Sequence, residues 1–141
     1  IAFYGIVNEN VAINQGIELK EEDISLMLEG MWNGTKNLIS GSKFGQIPRF
    51  LMQVIYKEGN FYTGELDKRI SLVSDMTEEK IRNISEVKID ITNLIKALIT
   101  HKDKIEKIRF KTDERILFIK DKQDIKIEDA LRDFKVESFQ F

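Results

Sequence analysis

The sequence of 141 residues predicts an α+β fold, because segments with strand patterns alternate with segments with helix patterns. The strand segments are rich in β-branched and aromatic residues, and the helix segments repeat apolar residues at three- and four-residue spacings. Two strand–helix–strand arrangements follow one another along the chain. Two such β-α-β units in a small protein predict a ferredoxin-like, RRM-type antiparallel sheet with helices on one face. The length predicts a single domain over residues 1–141.

The first unit begins with a strand predicted over Ile1–Ala12. After a turn at Asn14–Gly16, an amphipathic helix is predicted, with acidic residues in its first turn where they complement the helix dipole. The loop Ser40–Gln46 ends this helix, and the only proline, Pro48, leads into a strand over Arg49–Tyr56. The apolar stripe of the helix comprises Ile24, Met27, Leu28, Met31, Thr35 and Leu38.

The second unit is predicted as a strand over Val87–Ile91, a helix over Thr92–His101 and a strand over Ile105–Lys111. Shorter elements surround it. They are predicted to be a strand over Phe61–Leu66, a charged helix from the N-cap Thr77 to Asn83, a strand over Arg115–Lys120, a helix over Ile127–Phe134 and an extended segment that ends at Phe141.

The composition is typical of a soluble globular protein, with 42% apolar and 33% charged residues. A formal net charge of −2 argues against a protein that coats nucleic acid with its whole surface, so any such binding must be local. The absence of cysteine excludes disulfides and thiolate metal sites and favours a cytoplasmic location. No apolar run is long enough to span a bilayer, so no membrane partner is expected. A chain that starts at Ile1, within a predicted strand, is expected to be a fragment or a trimmed product.

One segment departs from the acidic balance of the chain. Residues 30–57, which we call the acid-free segment, contain Lys36, Lys43, Arg49 and Lys57 but no Asp or Glu. By contrast, residues 1–29 hold six acids and one lysine. Ser, Gly, Lys and Gln near a helix end suit a phosphate backbone, because exposed N–H groups and cations can converge there. A glycine-rich loop with solvated lysines accounts for the same composition without a ligand, so both interpretations stay open at this point.

Three other features are interpreted as structural. Trp32 is expected to be a partly buried edge of the core rather than a platform for a base. On the strand that carries Lys107, Arg109 and Lys111, alternation with apolar residues indicates a solvated antiparallel face. His101, the only histidine, is expected at a helix C-terminus, where a cation complements the dipole. One histidine without cysteine makes neither a zinc site nor a His-paired hydrolase centre, and we predict no catalytic residue, metal or cofactor.

The acid-free segment also carries a family resemblance. The run Met31–Leu38 (Met-Trp-Asn-Gly-Thr-Lys-Asn-Leu), followed by Ser42–Arg49 (Ser-Lys-Phe-Gly-Gln-Ile-Pro-Arg), resembles the backbone subunit of type I CRISPR Cascade complexes. More specifically, it is similar to the type I-B form of the Cas-seven family of RAMP proteins. The matching order continues through Phe50–Tyr56, Tyr62–Asp67 and Ile84–Asp90, so the close resemblance covers roughly the first two-thirds of the chain.

This resemblance implies a modified RRM fold of which the chain would be an incomplete, C-terminal part. Family members are longer, and an N-terminal half with an asparagine-proline-glycine motif would be missing here. Such subunits polymerise side by side and hold CRISPR RNA through its sugar-phosphate backbone. An arginine that many relatives place near Gly41 is absent, and its absence would weaken RNA binding at that position. Carried over by position, the backbone contacts would be Lys36, Ser40, Ser42, Lys43, Gln46 and Arg49.

The resemblance thus implies a non-catalytic, RNA-binding scaffold subunit of a CRISPR interference complex in antiviral defence. Its partners would be CRISPR RNA, copies of itself in a helical filament and other Cascade subunits, with target DNA reached indirectly through the guide. The alternative is a RAMP-type endoribonuclease acting on CRISPR or target RNA, which would need a histidine or paired acids on a loop that faces RNA. His101 is the only histidine in the chain that could serve such an endoribonuclease. A third class is a protein-interaction module with no RNA role.

Overall fold

The computed structural model describes residues 1–141, which group into two compact units. We call residues 5–48, together with Phe141, the helical unit, and residues 1–4 with 49–140 the sheet unit. No helix in either unit is both long and apolar enough to cross a bilayer.

The helical unit contains α1 (Glu9–Asn14) and α2 (Glu21–Lys36). The strand predicted over residues 1–12 is wrong, since residues 1–8 have no regular structure and α1 follows them. Asn8 caps α1, because its side-chain oxygen accepts a hydrogen bond of 3.0 Å from the backbone N–H of Asn10. The β-branched composition of this segment predicted a strand, but strand propensity depends on a pairing partner that the chain does not supply here.

Helix α2 confirms the predicted amphipathic helix. At its start the carboxylate of Asp23 accepts a 2.9 Å hydrogen bond from the backbone N–H of Lys20, which satisfies one of the free donors at the N-terminus. The buried residues are Leu28, which lies on the predicted apolar stripe, and Trp32, one turn further on, which lies beside that stripe. Met27 and Met31 of the predicted stripe are exposed, at 45% and 51%, so the buried face of α2 differs from the predicted one. At the other end the N–H of Asn37 closes the helix on the carbonyl of Asn33 at 2.9 Å.

The sheet unit contains a three-stranded sheet in the order β1–β4–β7. Strands β1 (Phe50–Tyr56) and β4 (Ile105–Thr112) confirm two predicted strands and pair antiparallel over their whole length, with an irregularity between Ile55 and Tyr56. The last strand, β7 (Val136–Ser138), runs parallel to β4. It confirms the predicted extended segment near the end of the chain.

A second sheet has four short strands in the order β2–β3–β5–β6. The pairs β2–β3 and β5–β6 are antiparallel and the central pair β3–β5 is parallel. The strands span Ser71–Val73, Lys88–Asp90, Phe118–Lys120 and Gln123–Ile125.

Helix α3 (Thr92–Thr100) connects β3 to β4 and therefore leads from one sheet to the other. The predicted order strand–helix–strand is confirmed, but β5 rather than β4 is the parallel neighbour of β3, so the two strands do not share a sheet. The rings of Phe50 on β1 and Phe118 on β5 meet edge to face at 5.1 Å and join the sheets. The core between these elements includes the fully buried residues Ile91, Ile95, Leu98, Ile108 and Leu131.

Several short elements differ from their predictions. Residues 61–65 form no strand, and a 3-10 helix over Leu66–Arg69 follows them. The helix predicted after Thr77 is one 3-10 turn, Glu78–Lys80, and α4 is limited to Ile127–Ala130. Short helices need tertiary packing, and only the buried Ile127 and Ala130 supply it in α4. The protein is a mixed α+β protein, as predicted, and is consistent with a ferredoxin-like or RRM-type fold.

Candidate nucleic-acid interface

A tight turn over Ser40–Lys43 is the best-defined feature of the loop that follows α2. The N–H of Ser40 donates to the carbonyl of Lys43 at 3.0 Å, and the N–H of Lys43 donates back to the carbonyl of Ser40 at 3.3 Å. The Lys43 N–H also lies 3.1 Å from the hydroxyl oxygen of Ser40. These bonds leave the N–H groups of Gly41 and Ser42 at the tip for an external acceptor such as a phosphate oxygen.

The candidate residues of the helical unit are all solvent-exposed. They are Lys36, Ser40, Ser42, Lys43 and Gln46. Both lysines are exposed, and they belong to a segment of sequence that is net positive in a protein of negative net charge.

The position of the loop corrects one part of the sequence argument. The loop follows the C-terminus of α2, where carbonyl groups rather than N–H groups are free. The helix dipole at this end attracts cations, so the terminal Lys36 is favoured there without a ligand. Anion binding in this loop must therefore depend on the lysine side chains and the N–H groups of the Ser40–Lys43 turn.

Arg49, the sixth candidate, lies in the sheet unit and already has a partner. Its guanidinium donates to the carboxylate of Asp113 at 2.5 Å, and its side chain is 26% exposed. The backbone reinforces the contact, because the N–H of Asp113 donates to the carbonyl of Arg49 at 2.9 Å. The same carboxylate accepts from the backbone N–H of Arg115 at 3.1 Å. Arg49 thus ties the start of β1 to the loop after β4.

The basic side chains on β4 are structural, although they are not solvated as the sequence suggested. Lys107 lies 3.2 Å from the carboxylate of Glu137, and its side chain is only 16% exposed. Arg109 contacts Gln53 at 3.3 Å and lies over the ring of Phe139, 4.3 Å from its centroid. Neighbouring strands therefore supply partners for this basic face.

The remaining candidates also have structural positions. Trp32 is buried, as expected of an edge of the core. His101 caps the C-terminus of α3, and its ring packs on Phe61 with 5.0 Å between centroids. No three side chains of His, Asp or Glu come together in a way that could hold a metal ion.

Two carboxylates outside the acid-free segment have altered acidity. Hydrogen bonds from the side chain and the N–H of Thr92 hold the pKa of Asp90 below its ordinary value. Backbone N–H groups of Arg82 and Asn83 likewise lower the pKa of Glu86. Both carboxylates accept bonds that close local turns, so their acidity reflects the fold rather than catalysis.

One exposed residue was missed in the sequence. Phe44 follows the Ser40–Lys43 turn directly, and its side chain is 81% exposed. Next to it, Gly45 has a backbone φ of +73°, a left-handed conformation that favours glycine. The sequence feature that could have indicated an exposed ring is an aromatic residue between a lysine and a glycine in the acid-free segment.

Comparison with known proteins identifies the family. Residues 1–92 match the family model of the CRISPR-associated protein Cas7. The chain belongs to the Cas7 family. It is 32% identical over 115 residues to the CRISPR-associated protein Cas7 of Haloferax volcanii, an alignment that covers 81% of this chain and 33% of the relative. The chain therefore spans about a third of the length of the curated relative that it matches.

The Cas7 match confirms the resemblance that the sequence suggested. It includes the whole acid-free segment and β1, and it ends at the start of α3. All six candidate residues lie inside the matched range. None of them is assigned a role by the match, so their function rests on the geometry described above.

Proposed function

We propose that this chain is part of a non-catalytic, RNA-binding scaffold subunit of a CRISPR Cascade complex. In this proposal the loop after α2 grips the sugar-phosphate backbone of the CRISPR RNA without reading its bases, and copies of the subunit polymerise along the guide. Membership of the Cas7 family supports the proposal that the subunit belongs to a CRISPR complex. The observation that carries the RNA contact is the exposed Lys43 on a hydrogen-bonded turn within a segment free of acids.

The chemistry of the loop suits phosphates better than bases. Lys36 and Lys43 supply point charges. The N–H groups of Gly41 and Ser42 supply fixed hydrogen-bond donors beside Lys43. The hydroxyl groups of Ser40 and Ser42 and the amide of Gln46 add neutral donors. Such contacts position a nucleic acid but carry no sequence information. We therefore expect binding that depends steeply on salt and weakly on sequence.

Lys43→Ala in the full-length protein tests this function. Binding of guide-length single-stranded RNAs of unrelated sequence would be measured across a series of salt concentrations. The plot of log K against log salt should lose about one unit of slope for the lost phosphate contact. Lys80→Ala is the control, because Lys80 is also exposed but lies outside the acid-free segment beside Glu78 and Glu79. An unchanged slope for folded Lys43→Ala would remove this loop from the RNA site.

We propose further that the subunit has no nuclease activity of its own. The only histidine packs against Phe61 at a helix end, a position that serves the fold. Incubating labelled CRISPR and target RNAs with the full-length protein, with and without a divalent cation, tests this proposal. Reproducible cleavage that a His101→Ala variant abolishes without unfolding would overturn it.

A further inference from the structure

Phe44 is the one aromatic residue of the acid-free segment whose side chain is largely exposed. Its side chain is 81% exposed, so the ring contributes little to any core. Phe3 is similarly exposed, at 84%, but it lies outside the acid-free segment. Trp32, which the sequence already indicated to be part of the core, is buried and therefore unable to stack on a base.

The backbone on both sides of Phe44 restricts where the ring can go. The preceding residue, Lys43, is fixed to Ser40 by two backbone hydrogen bonds and one bond to the hydroxyl oxygen. The following residue, Gly45, holds a left-handed φ of +73°. A ring presented from a restrained loop loses less conformational freedom on binding than one on a flexible tail.

The charge around Phe44 decides which partner fits. Lys43 is its direct neighbour, and no acid lies anywhere in residues 30–57. Consecutive Cα atoms are only about 3.8 Å apart, so a cation and a ring on adjacent residues can contact the phosphate and the base of one stretch of strand. A single-stranded nucleic acid offers both a negative backbone and unpaired apolar faces, whereas an apolar protein surface would leave the lysine without a counter-charge.

We propose that Phe44 stacks on an unpaired base of the bound RNA while Lys43 contacts an adjacent phosphate. This inference rests on the proposed function and adds a contact to the bases themselves. Stacking accepts every base, because each has a π-face, so it is compatible with a grip that ignores sequence. It also makes the site selective for single strands over duplexes, in which the bases are already stacked on one another.

The test compares Phe44→Ala with Lys43→Ala in the full-length protein. Loss of a stacking contact is non-ionic, so Phe44→Ala should weaken binding of single-stranded RNA by roughly 5- to 100-fold at every salt concentration, with the salt slope unchanged. The same variant should bind an abasic ribose-phosphate oligomer of equal length as tightly as the parent protein. Phe44→Trp should keep the affinity, and the RNA should quench emission from the new indole.

Phe3→Ala is the matched control, since it removes an equally exposed ring outside the acid-free segment. Three outcomes would assign Phe44 a different role and so overturn the inference. They are an equal loss on the abasic oligomer, a changed salt slope for Phe44→Ala, and self-association of the RNA-free protein that Phe44→Ala abolishes, which would assign the ring to a protein interface. If Phe44→Ala has no effect while Lys43→Ala lowers the slope, the stacking inference fails and the proposed function stands. If neither variant changes binding, the proposed function fails as well.

Discussion

At the scale of single residues, the two strongest cationic candidates of the acid-free segment have different roles. Lys43 is exposed and hydrogen-bonded only through its backbone to the turn that it closes. Arg49 is three-quarters buried and paired with Asp113. Sequence pattern gave both the same interpretation, because the partner of Arg49 lies 64 positions away along the chain. We therefore expect a substitution of Lys43 to change binding, and one of Arg49 to change stability first.

Replacing Arg49 with alanine should lower the free energy of unfolding by about 1–3 kcal/mol, because it leaves a partly buried carboxylate without its charged donor. Chemical denaturation at neutral pH measures the loss. Asp113→Ala in the same background should recover part of it, since the second change removes the carboxylate that has lost its charged donor. If Arg49→Ala unfolds with the same free energy as the parent protein, the ion pair does not contribute to stability. Arg49 would then again be a candidate for phosphate binding.

A second residue-scale prediction concerns Thr63, a buried polar residue beside two tyrosines. Its N–H donates to the hydroxyl of Tyr56 at 3.0 Å and its carbonyl accepts from Tyr4 at 3.3 Å, while its own hydroxyl has no partner. Burial, followed by the nearby phenols of Tyr56 and Tyr62, raises the pKa of Tyr4.

Thr63→Val keeps the shape of the side chain and removes the unpaired hydroxyl. The free energy of unfolding should stay equal or rise by up to about 1 kcal/mol, because a buried polar group without a partner is destabilising. Thr63→Ser is the control, since it retains the hydroxyl and should lose roughly 0.8 kcal/mol with the methyl group. A clear loss of stability in Thr63→Val would mean that the hydroxyl is hydrogen-bonded in solution.

At the scale of elements, the sequence predicted those that carry their own periodicity. The segment of α2 repeats apolar residues at three- and four-residue spacings, and residues 107–111 of β4 alternate between basic and apolar, so both elements were found with nearly correct bounds. The strand predicted over residues 1–12 failed because pairing depends on a distant partner. For the same reason, the parallel neighbour of β3 was not predicted. The loop residues of the candidate site were predicted from the composition of the acid-free segment and from the family resemblance, whereas the exposure of Phe44 required the structure.

The start of α3 leads to a prediction about pH. The folded-state pKa of Asp90 is lowered by Thr92, so its stabilising contribution is present above the unfolded pKa of about 3.9 and is lost as pH falls through the folded value. Asp90→Asn should therefore lower the thermal midpoint at pH 7, by an amount that corresponds to about 1 kcal/mol, and the difference from the parent protein should shrink in more acidic buffer. Asp75→Asn, at an exposed position, is the control. A difference that is the same at both pH values would contradict this assignment.

At the scale of the whole molecule, residues that hold the fold and residues proposed to hold RNA are separate sets. The core of the sheet unit consists of aliphatic and aromatic side chains from α3, α4 and both sheets. The exposed candidates of the loop after α2 belong to none of these elements. Substitutions in the loop should therefore change binding with a stability change within roughly 0.5 kcal/mol, as is usual for surface sites.

Two neighbouring residues of α3 test this separation with substitutions in the core instead of the loop. Leu98 is fully buried, whereas the next residue, Ile99, is 47% exposed. Leu98→Ala should lower the free energy of unfolding by about 2–5 kcal/mol, because it removes packed methyl groups and leaves a cavity between the sheets. Ile99→Ala removes a similar volume from the same helix and should cost well under half as much. Denaturant unfolding measures both, and RNA affinity is then compared under conditions where each variant is folded. If folded Leu98→Ala binds RNA with unchanged affinity and unchanged salt slope, the RNA contact lies outside this core. A smaller salt slope in folded Leu98→Ala would mean that the RNA contact depends on the packing of this core.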